Sequence, residues 1–471
     1  MSVFAEETLR RLPLAEAAYR LLDWATEPEF LGQVFQRHRG ASYEKVIGFP
    51  LFVQLIGDAL LEHDGSGRQS FVRAQTAGEL EASLKAMYGK LARVPLGLSQ
   101  GLLTEATHRL QAVCPATAGV ALPPSLQGFT VLALDGKKIK HVVRRLQLLR
   151  PVRGLLLAAK IAVALNLATG LAVALSADAD GEAADAPLVP EILAQVRGRL
   201  PGPRLWVEDR LFCDLVQPHL LRAGEDHFLI RYNAKVSFHP DADRPLQRGT
   251  DAQGRAYEED WGWLGSARDP RRLYVRRITL HRPGEESVIL VTDLLDAAAF
   301  PATELLTVYL HRWGIERVFQ RITEVFHLRT LIGSTPQAGV FQAAFCLLLY
   351  NVLVVLRGYI GAGQQRPPET ISTANLFDDV QRQWVALHEV LSTGEILNLL
   401  TGRLTAAELC RRLHALLATQ WSDRWLKAPA PKRPPKAAET IIYPKGGHTS
   451  VYRLLQEART ARRAKEPAGG N

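Results

Sequence analysis

The spacing of apolar residues divides the chain into a helical first part and a strand-rich middle. Across residues 1–125, apolar side chains recur every three or four positions, which is typical of helices that bury one face. Two such faces are formed by Phe49, Phe52, Val53, Ile56, Leu60 and Leu61, and by Leu80, Leu84, Met87, Tyr88 and Leu91. Pro123 and Pro124 end the helical part. The apolar run 129–134 then predicts a buried strand that ends at Asp135.

The middle of the chain reads as strands that alternate with short helices. The predicted elements are a hairpin of strands 158–166 and 171–177, a helix at 190–197, a strand at 205–207 before Asp209, a helix at 215–221, and a strand at 228–232. Leu305, Val308, Arg312, Ile315, Glu316 and Phe319 recur at helical spacing, which places Glu316 on one long helix. The sequence therefore predicts an α+β protein with a mixed α/β core.

Between the strand at 228–232 and the Glu316 helix lies a long β-rich segment. It contains a predicted hairpin, 274–280 with 287–292, and an alternating pair, Trp261 and Trp263. Aromatic faces of this kind can stack on an unpaired base, and they can equally pack a sheet edge. Both interpretations of the tryptophans stay open at the level of sequence.

The apolar stretch 338–360 is long enough to cross a bilayer. Gln342, Asn351 and Arg357 interrupt it, and no aromatic belt flanks it. We therefore expect a buried core helix and no membrane partner. Further helices are predicted around 376–391 and 406–419, and the Pro/Lys/Arg-rich tail is expected to be extended.

Composition and charge point to a folded protein with a polyanionic partner. The chain has 471 residues, of which 47% are hydrophobic, and its formal net charge is +9. Residues 427–471 carry ten Lys or Arg against three Glu, a local excess that suits DNA. The four cysteines are scattered without metal-ligand spacing, which favours reduced, buried thiols in a cytoplasmic protein. The amino terminus lacks the apolar core of a secretion signal.

Three acidic residues carry the chemistry. Asp135 and Asp209 follow predicted strands, and Glu316 lies on a predicted helix, so the three can converge in one cleft. Converging carboxylates repel one another unless a cation neutralises them, and ligands that are all oxygen suit Mg²⁺ or Mn²⁺. Two such ions can clamp the attacking and leaving oxygens of a phosphoryl displacement. This pattern predicts a phosphodiester-cutting site.

Neighbouring carboxylates are the alternatives at this site. Glu208 lies beside Asp209, but strand alternation points its side chain to the opposite face, so we prefer Asp209. Asp214 lies where a helix needs an N-terminal cap, and Asp293 ends a strand; both are expected to be structural.

The segments around these residues resemble a DDE transposase of a bacterial insertion sequence, in the group with the signature Y-x2-R-x3-E-x6-K. Tyr309, Arg312 and Glu316 match the spacing, whereas Thr323 stands at the lysine position with Arg321 nearby. The resemblance spans roughly residues 40–360. It includes DRLFCD, DHFLIRYN, VILVTDLLD and RTLIGSTP, in that order along the chain.

The resemblance implies a ribonuclease-H-like core, for which three antiparallel strands followed by helix–strand–helix–strand is the expected order. The implied organisation is a helical DNA-binding domain at 1–125, the catalytic core at 126–233 and 293–360, a β-rich insertion at 234–292, a helical region at 361–426, and a basic tail at 427–471. The implied activity is cut-and-paste transposition: strand cleavage and strand transfer at the ends of the element. Two Mg²⁺ or Mn²⁺ ions would be held by Asp135, Asp209 and Glu316. The implied partners are the terminal inverted repeats and target DNA, bound by a homodimer in a bacterial cytoplasm.

The resemblance also implies that Tyr309 and Arg312 hold DNA phosphates beside the metals. The alternative makes Tyr309 a core aromatic and Arg312 an ion-pair partner of Glu316. The basic residues after Asp135, which are Lys137, Lys138, Lys140, Arg144 and Arg145, form either a solvated loop or a contact with the DNA backbone. The full predicted DNA-binding set is Tyr309, Arg312, Arg321, Lys137, Lys138 and Arg210.

Two other functions fit the same residues. A domesticated or inactive transposase would bind DNA without cutting it, and Thr323 in place of lysine favours this alternative. A structure-specific nuclease would cut without strand transfer.

Overall fold

The structure is a computed structural model, and it describes residues 3–140, 142, 144–400, 404–427 and 447–465. Its helices are α1 Val3–Arg11, α2 Pro13–Thr26, α3 Pro28–His38, α4 Phe49–Leu61, α5 Gly67–Thr76, α6 Leu84–Leu91, α7 Leu96–Gln111, α8 Val189–Arg197, α9 Gln217–Arg222, α10 Ala302–His311, α11 Trp313–Glu324, α12 Pro336–Gly363, α13 Thr373–Val390, α14 Thr393–Leu400, α15 Ala406–Leu417 and α16 Val451–Lys465. The helices before residue 125 follow the predicted apolar faces.

The strands of the described residues form one mixed sheet. They are β1 Thr130–Lys140, β2 Leu155–Asn166, β3 Ala172–Asp178, β4 Arg204–Glu208, β5 Asp226–Arg231, β6 Phe238–Pro240, β7 Gln247–Thr250, β8 Ala256–Leu264, β9 Leu273–Leu280, β10 Val288–Thr292 and β11 His448–Ser450. The order across the sheet is β11-β2-β1-β4-β5-β10-β9-β8-β6, with β3 paired to β2 and β7 paired to β8.

The centre of this sheet has the connectivity predicted from the sequence. β1, β2 and β3 are antiparallel neighbours, whereas β4 and β5 run parallel to β1. Helix α8 links β3 to β4, and α9 links β4 to β5. Three antiparallel strands followed by helix–strand–helix–strand is the order expected of a ribonuclease-H-like fold, and the mixed α/β prediction is confirmed.

One boundary in this region was predicted wrongly. β1 does not end at Asp135 but continues to Lys140, because the residues after Asp135 keep pairing with β2: Gly136 lies opposite Ala162 and Lys138 opposite Lys160. Asp135 therefore lies within a strand, and Lys137, Lys138 and Lys140 belong to the sheet and not to a loop.

The β-rich segment extends the same sheet. β9 pairs with both β10 and β8, so the predicted hairpin 274–280/287–292 is present. Trp261 is fully buried and donates its indole N–H to the Leu295 carbonyl at 2.9 Å, which makes it a core residue. Trp263 is partly exposed, with the Arg272 guanidinium over its ring at 4.2 Å.

Helix α12 forms the centre of the helical layer. It is the one helix of the described residues that is long and apolar enough to cross a membrane, and the whole of its apolar stretch is buried inside the protein. Within this helix, Asn351 donates to the Ala172 carbonyl and accepts from the Ala172 amide, which ties α12 to β3. These contacts agree with the predicted core helix.

The helices that follow α12 pack against the first helices of the chain. Tyr19 of α2 stacks on Trp384 of α13 with ring centroids 4.0 Å apart, and Gln383 accepts hydrogen bonds from the amides of Leu14 and Ala15 at the start of α2. The buried Glu16 carboxylate is paired with Arg20 and with Arg412 of α15. The first helices of the chain and those that follow α12 thus pack together.

Two further expectations were wrong. The predicted long helix around Glu316 breaks at Arg312, where the amide bonds to the Tyr309 carbonyl and the carbonyl accepts from Ile315, a three-residue spacing that separates α10 from α11. The end of the chain is not extended throughout, because residues 451–465 form α16. There β11 pairs in parallel with β2, and α16 covers the neighbouring Leu149 and Leu156. The basic stretch 428–446 lies outside the described residues.

Candidate functional site

The two strand aspartates lie side by side. β1 and β4 are parallel, with Leu134 opposite Glu208, so the next residues on each strand, Asp135 and Asp209, are also neighbours. Asp209 follows the last residue of β4, where the chain leaves the sheet. Both side chains are partly accessible, as a ligand-binding position requires.

Arg312 connects these aspartates to Glu316. Its Nη2 lies 3.0 Å from Glu316 Oε1, and its Nη1 lies 3.8 Å from Asp135 Oδ2. The Arg312 side chain is only 4% exposed, whereas that of Glu316 is 40% exposed. Although burial opposes the charged form, Tyr309, Asp209, Asp135 and Glu316 together raise the pKa of Arg312. The guanidinium thus remains a cation among the three carboxylates.

Asp135 is the carboxylate most affected by its surroundings. Burial raises its pKa to about 6, against the opposing effects of the Gly136 amide and the Arg312 guanidinium. Glu316 and Asp185 add further negative charge and raise the pKa in the same direction. A desolvated carboxylate with other carboxylates nearby is stabilised by an additional cation.

The described residues contain no group of three or more His, Cys, Asp or Glu arranged to hold a metal ion. The three carboxylates expected from the sequence are not among such groups, and the Arg312 guanidinium contacts two of them, Asp135 at 3.8 Å and Glu316 at 3.0 Å. The donor set itself fits Mg²⁺, since adjacent Asp135 and Asp209 supply oxygen ligands and Asp135 is destabilised as an anion.

The structure separates Asp209 from its rival, Glu208. Glu208 is fully buried on the opposite face, and neither of its carboxylate oxygens has a hydrogen-bond partner. Burial, with a smaller effect of Asp214, raises the pKa of Glu208 to about 8, so the group is mostly neutral at pH 7. A neutral carboxyl in the core is a poor metal ligand.

The other two carboxylates considered from the sequence have structural contacts. Asp214 accepts hydrogen bonds from the amides of Val216 and Gln217, both at 2.7 Å, and so caps α9. Asp293 accepts from the Phe228 amide at 3.0 Å, which ties the end of β10 to β5.

The predicted DNA-binding residues differ in their accessibility. Tyr309 is 3% exposed, and Arg312 is engaged with Glu316, so both match the alternative in which they are core and ion-pair residues. Lys137 is partly buried with its ammonium 5.5 Å from the Phe319 ring, and Lys138 is partly exposed on β1. Arg210 is exposed and lies 3.7 Å from Glu286.

Arg144 and Arg145 are tied to the protein itself. Arg144 donates to the carbonyls of Val152 and Gly154, and Arg145 donates to the Ile332 carbonyl at 2.7 Å. These bonds fix the connection between β1 and β2, so the two arginines are not simply a solvated loop.

A second ion pair beside the site was not foreseen. Lys160 of β2 lies 2.6 Å from Asp185, and Asp185 is close enough to Asp135 to affect its pKa. A Cβ atom at Gly136 would lie 1.6 Å from Asp185 Oδ1, so this approach requires a glycine directly after Asp135. In the sequence, the glycine directly after Asp135 is the one local feature that indicates this close approach.

Part of the chain is similar to a known protein family. Residues 152–352 match the family described as transposase DDE domain. The matched segment contains Asp209 and Glu316 and begins after Asp135. This part of the chain is therefore similar to the catalytic domains of enzymes that act on DNA during transposition.

Similarity to individual proteins is remote. None of the curated proteins matches the chain significantly. One solved structure that matches is a cryo-EM structure of the piggyBac transposase synaptic complex with hairpin DNA; it is 10% identical, the match covers 89% of this chain and 88% of that chain, and the TM-score is 0.38. A likeness at this level carries no weight for fold or function.

Proposed function

We propose that the protein is a DNA transposase that cleaves and joins strands at the ends of an insertion sequence. The observation that carries the proposal is that Asp135 on β1 and Asp209 directly after β4 follow a paired position of two parallel strands, with Glu316 linked to Asp135 through Arg312. The match to the transposase DDE domain over residues 152–352 supports the same class. The Y-x2-R-x3-E signature and a bacterial insertion-sequence origin belong to this proposal.

Asp135, Asp209 and Glu316 would hold two Mg²⁺ or Mn²⁺ ions, which supply activation of water and stabilisation of charge on the phosphate oxygens. The chain's own contribution begins with Arg312. Its ion pairs hold Glu316 and Asp135 in place before DNA binds. When a DNA phosphate enters, the planar guanidinium can turn from these carboxylates to the phosphate, which offers an equivalent pair of oxygens. That exchange would free Glu316 to complete the ligand set.

The proposed partners are double-stranded DNA at the terminal inverted repeats and at the target. The net charge of +9 suits a polyanion, and the exposed Arg210 and partly exposed Lys138 are the proposed backbone contacts near the site. A homodimer on DNA follows from the need to hold two ends together. Cut-and-paste transposition is the proposed reaction course.

A DNA-binding protein that no longer cuts is the second candidate, and two observations favour it. Thr323, at the signature's lysine position, donates its hydroxyl to the Phe319 carbonyl at 2.6 Å and so turns back onto its own helix. The described residues also lack a preformed metal-ligand group.

Gel analysis of purified protein with a labelled element end decides between the two candidates. The expected result is Mg²⁺-dependent nicking at the end of the element and strand transfer to a second duplex. The Asp135→Ala variant serves as the inactive control. Tight binding of the element end without any Mg²⁺- or Mn²⁺-dependent product would refute the enzyme and support the binding protein.

A further inference from the structure

A small cationic pocket lies on a different face of the Glu316 helix. It has a volume of about 100 Å³ and is formed where α10, α11 and α12 meet the turn between β2 and β3. Arg317 and Arg321 reach it from α11, Arg357 from α12, and Lys427 from the segment after α15. Gly314, Arg317 and Arg321 share one side of α11. Because consecutive residues of a helix are about 100° apart, Glu316, which directly precedes Arg317, points away from that side.

The charges of this pocket are not balanced. Four cationic side chains line it, and Glu369 is its one carboxylate. Within the described part of the chain, none of the four makes an ion pair with a carboxylate. Other buried arginines of the protein do have such partners: Arg276 pairs with Glu259, and Arg312 pairs with Glu316.

Arg357 is the decisive residue because it is charged and enclosed. It is 7% exposed, and its Nε has no hydrogen-bond partner. Its one side-chain bond is from Nη1 to the Thr373 hydroxyl at 3.3 Å, a neutral acceptor. A buried guanidinium without an ion-pair partner is strongly destabilising, so an anion in addition to the exposed Glu369 carboxylate would stabilise Arg357 in the core.

Lys427 is affected by the same excess of charge. Its ammonium group donates to the Glu369 carbonyl, so it lies against the pocket wall. Burial, followed by repulsion from Arg321, Arg357 and Arg317, lowers its pKa to about 8. A bound anion would attract all four cations and so offset their mutual repulsion.

We infer that this pocket binds a single phosphate group. The arginine forks suit tetrahedral oxyanions, and about 100 Å³ is well below the roughly 300 Å³ at which pockets enclose a drug-sized molecule. The phosphate can belong to a DNA backbone or be free in solution. The DNA source rests on the proposed function, whereas the pocket itself does not.

Thermal unfolding of the full-length protein in inorganic phosphate tests the pocket, with sodium chloride at equal ionic strength as the reference. The expected result is a saturable rise in Tm with phosphate that chloride does not give. Arg321→Gln should weaken the apparent Kd for phosphate roughly tenfold or more. Arg268→Gln, which removes an exposed arginine of the β-rich segment, should leave the response unchanged.

Arg357→Met provides the second variant. It should unfold at the same or a higher temperature than the wild type without phosphate, because an unpaired buried charge is replaced by an apolar side chain. It should no longer respond to phosphate. If Arg357→Met fails to fold, Arg321→Gln still decides the question. A wild type without a saturable response, or an Arg321→Gln variant that behaves like Arg268→Gln, would overturn the inference.

A DNA arm identifies the source of the phosphate. Binding of a short duplex is measured by fluorescence anisotropy without divalent cations, in phosphate and in chloride at matched ionic strength. If phosphate weakens duplex binding more than chloride does, and Arg321→Gln abolishes this difference, the pocket binds the DNA backbone. If phosphate and chloride weaken duplex binding equally, the pocket binds free phosphate. Because neither arm uses cleavage, a protein that binds phosphate here but cuts no DNA would refute only the proposed function.

Discussion

Arg312 Nη2, at the start of α11, lies 3.0 Å from Glu316 Oε1, so a carboxylate that is 40% exposed is held by a guanidinium that is only 4% exposed. The same guanidinium reaches Asp135 at 3.8 Å. In the proposed metal site, Arg312 would therefore both position Glu316 and compete with the metal for its carboxylate.

The nature of this contact can be tested by replacing Arg312 with lysine. If the side chain grips a DNA phosphate with its planar fork, Arg312→Lys should lose strand cleavage almost as severely as Arg312→Ala. If it only steadies Glu316, a point charge suffices and lysine should restore most of the activity. Cleavage rates at saturating Mg²⁺ and DNA distinguish the two roles, and near-normal activity of Arg312→Lys would refute phosphate gripping.

Glu208 at the end of β4 and Asp209 directly after it provide a matched pair for the catalytic assignment. Asp209→Asn should abolish cleavage while leaving DNA binding intact or improved, because a metal ligand is lost and repulsion around the phosphates is relieved. Glu208→Gln should retain cleavage, since Glu208 is buried on the other face. Single replacements of Asp135 or Glu316 should behave like Asp209→Asn. The opposite ranking of the two β4 variants would transfer the metal-binding role to Glu208.

The burial of Glu208 should make the stability of the protein depend on pH. Its carboxyl titrates near 4.5 in the unfolded chain and at about 8 in the folded protein. Between these values the folded state holds a proton that the unfolded state has lost, so the free energy of unfolding falls as pH rises. Glu208→Gln should therefore stabilise the protein at pH 8, by on the order of 1–3 kcal/mol, and much less near pH 5.

Thermal unfolding of both proteins at the two pH values measures this difference. Glu389→Gln, at an exposed position of α13, is the control and should show no pH-dependent gain. An equal effect of Glu208→Gln at both pH values would mean that Glu208 does not carry the proton.

Replacing Gly136, the residue after Asp135, with a larger residue should cause a steric clash with Asp185. Gly136→Ala would place a methyl group 1.6 Å from Asp185 Oδ1, so the Asp185–Lys160 pair must move. Destabilisation of roughly 1–3 kcal/mol is expected, with impaired cleavage through displacement of Asp135. Urea unfolding gives the first quantity. Gly32→Ala is the matched control, because no atom lies within 4 Å of its added methyl group, and alanine should slightly stabilise α3.

Local features of the sequence were read correctly where neighbours along the chain decide the structure. The β2–β3 and β9–β10 hairpins and the helical face of α4 follow from apolar spacing alone. The separation of Glu208 from Asp209 follows from strand alternation.

Features that depend on distant contacts were not predictable in this way. The helix breaks at Arg312, whose side chain forms ion pairs with Asp135 and Glu316. The continuation of β1 through Lys140 depends on its pairing with β2. The cationic pocket unites Arg317, Arg357 and Lys427 from three separate segments, so no local pattern announces it.

The pairing of β11 with β2 has a consequence for biosynthesis. His448 lies opposite Leu155, so the strand beside Leu155, Leu156 and Leu157 is synthesised long after β2 itself. Until then that edge of β2 offers unpaired amide and carbonyl groups, and Leu149 and Leu156 lack the cover that Val451 provides. Since nascent chains fold progressively from their amino-terminal end, this edge of the sheet would be completed only after residues 448–465 have been synthesised. A polypeptide truncated before residue 447 would keep this unpaired edge of β2, which is prone to pair with a second copy of the chain.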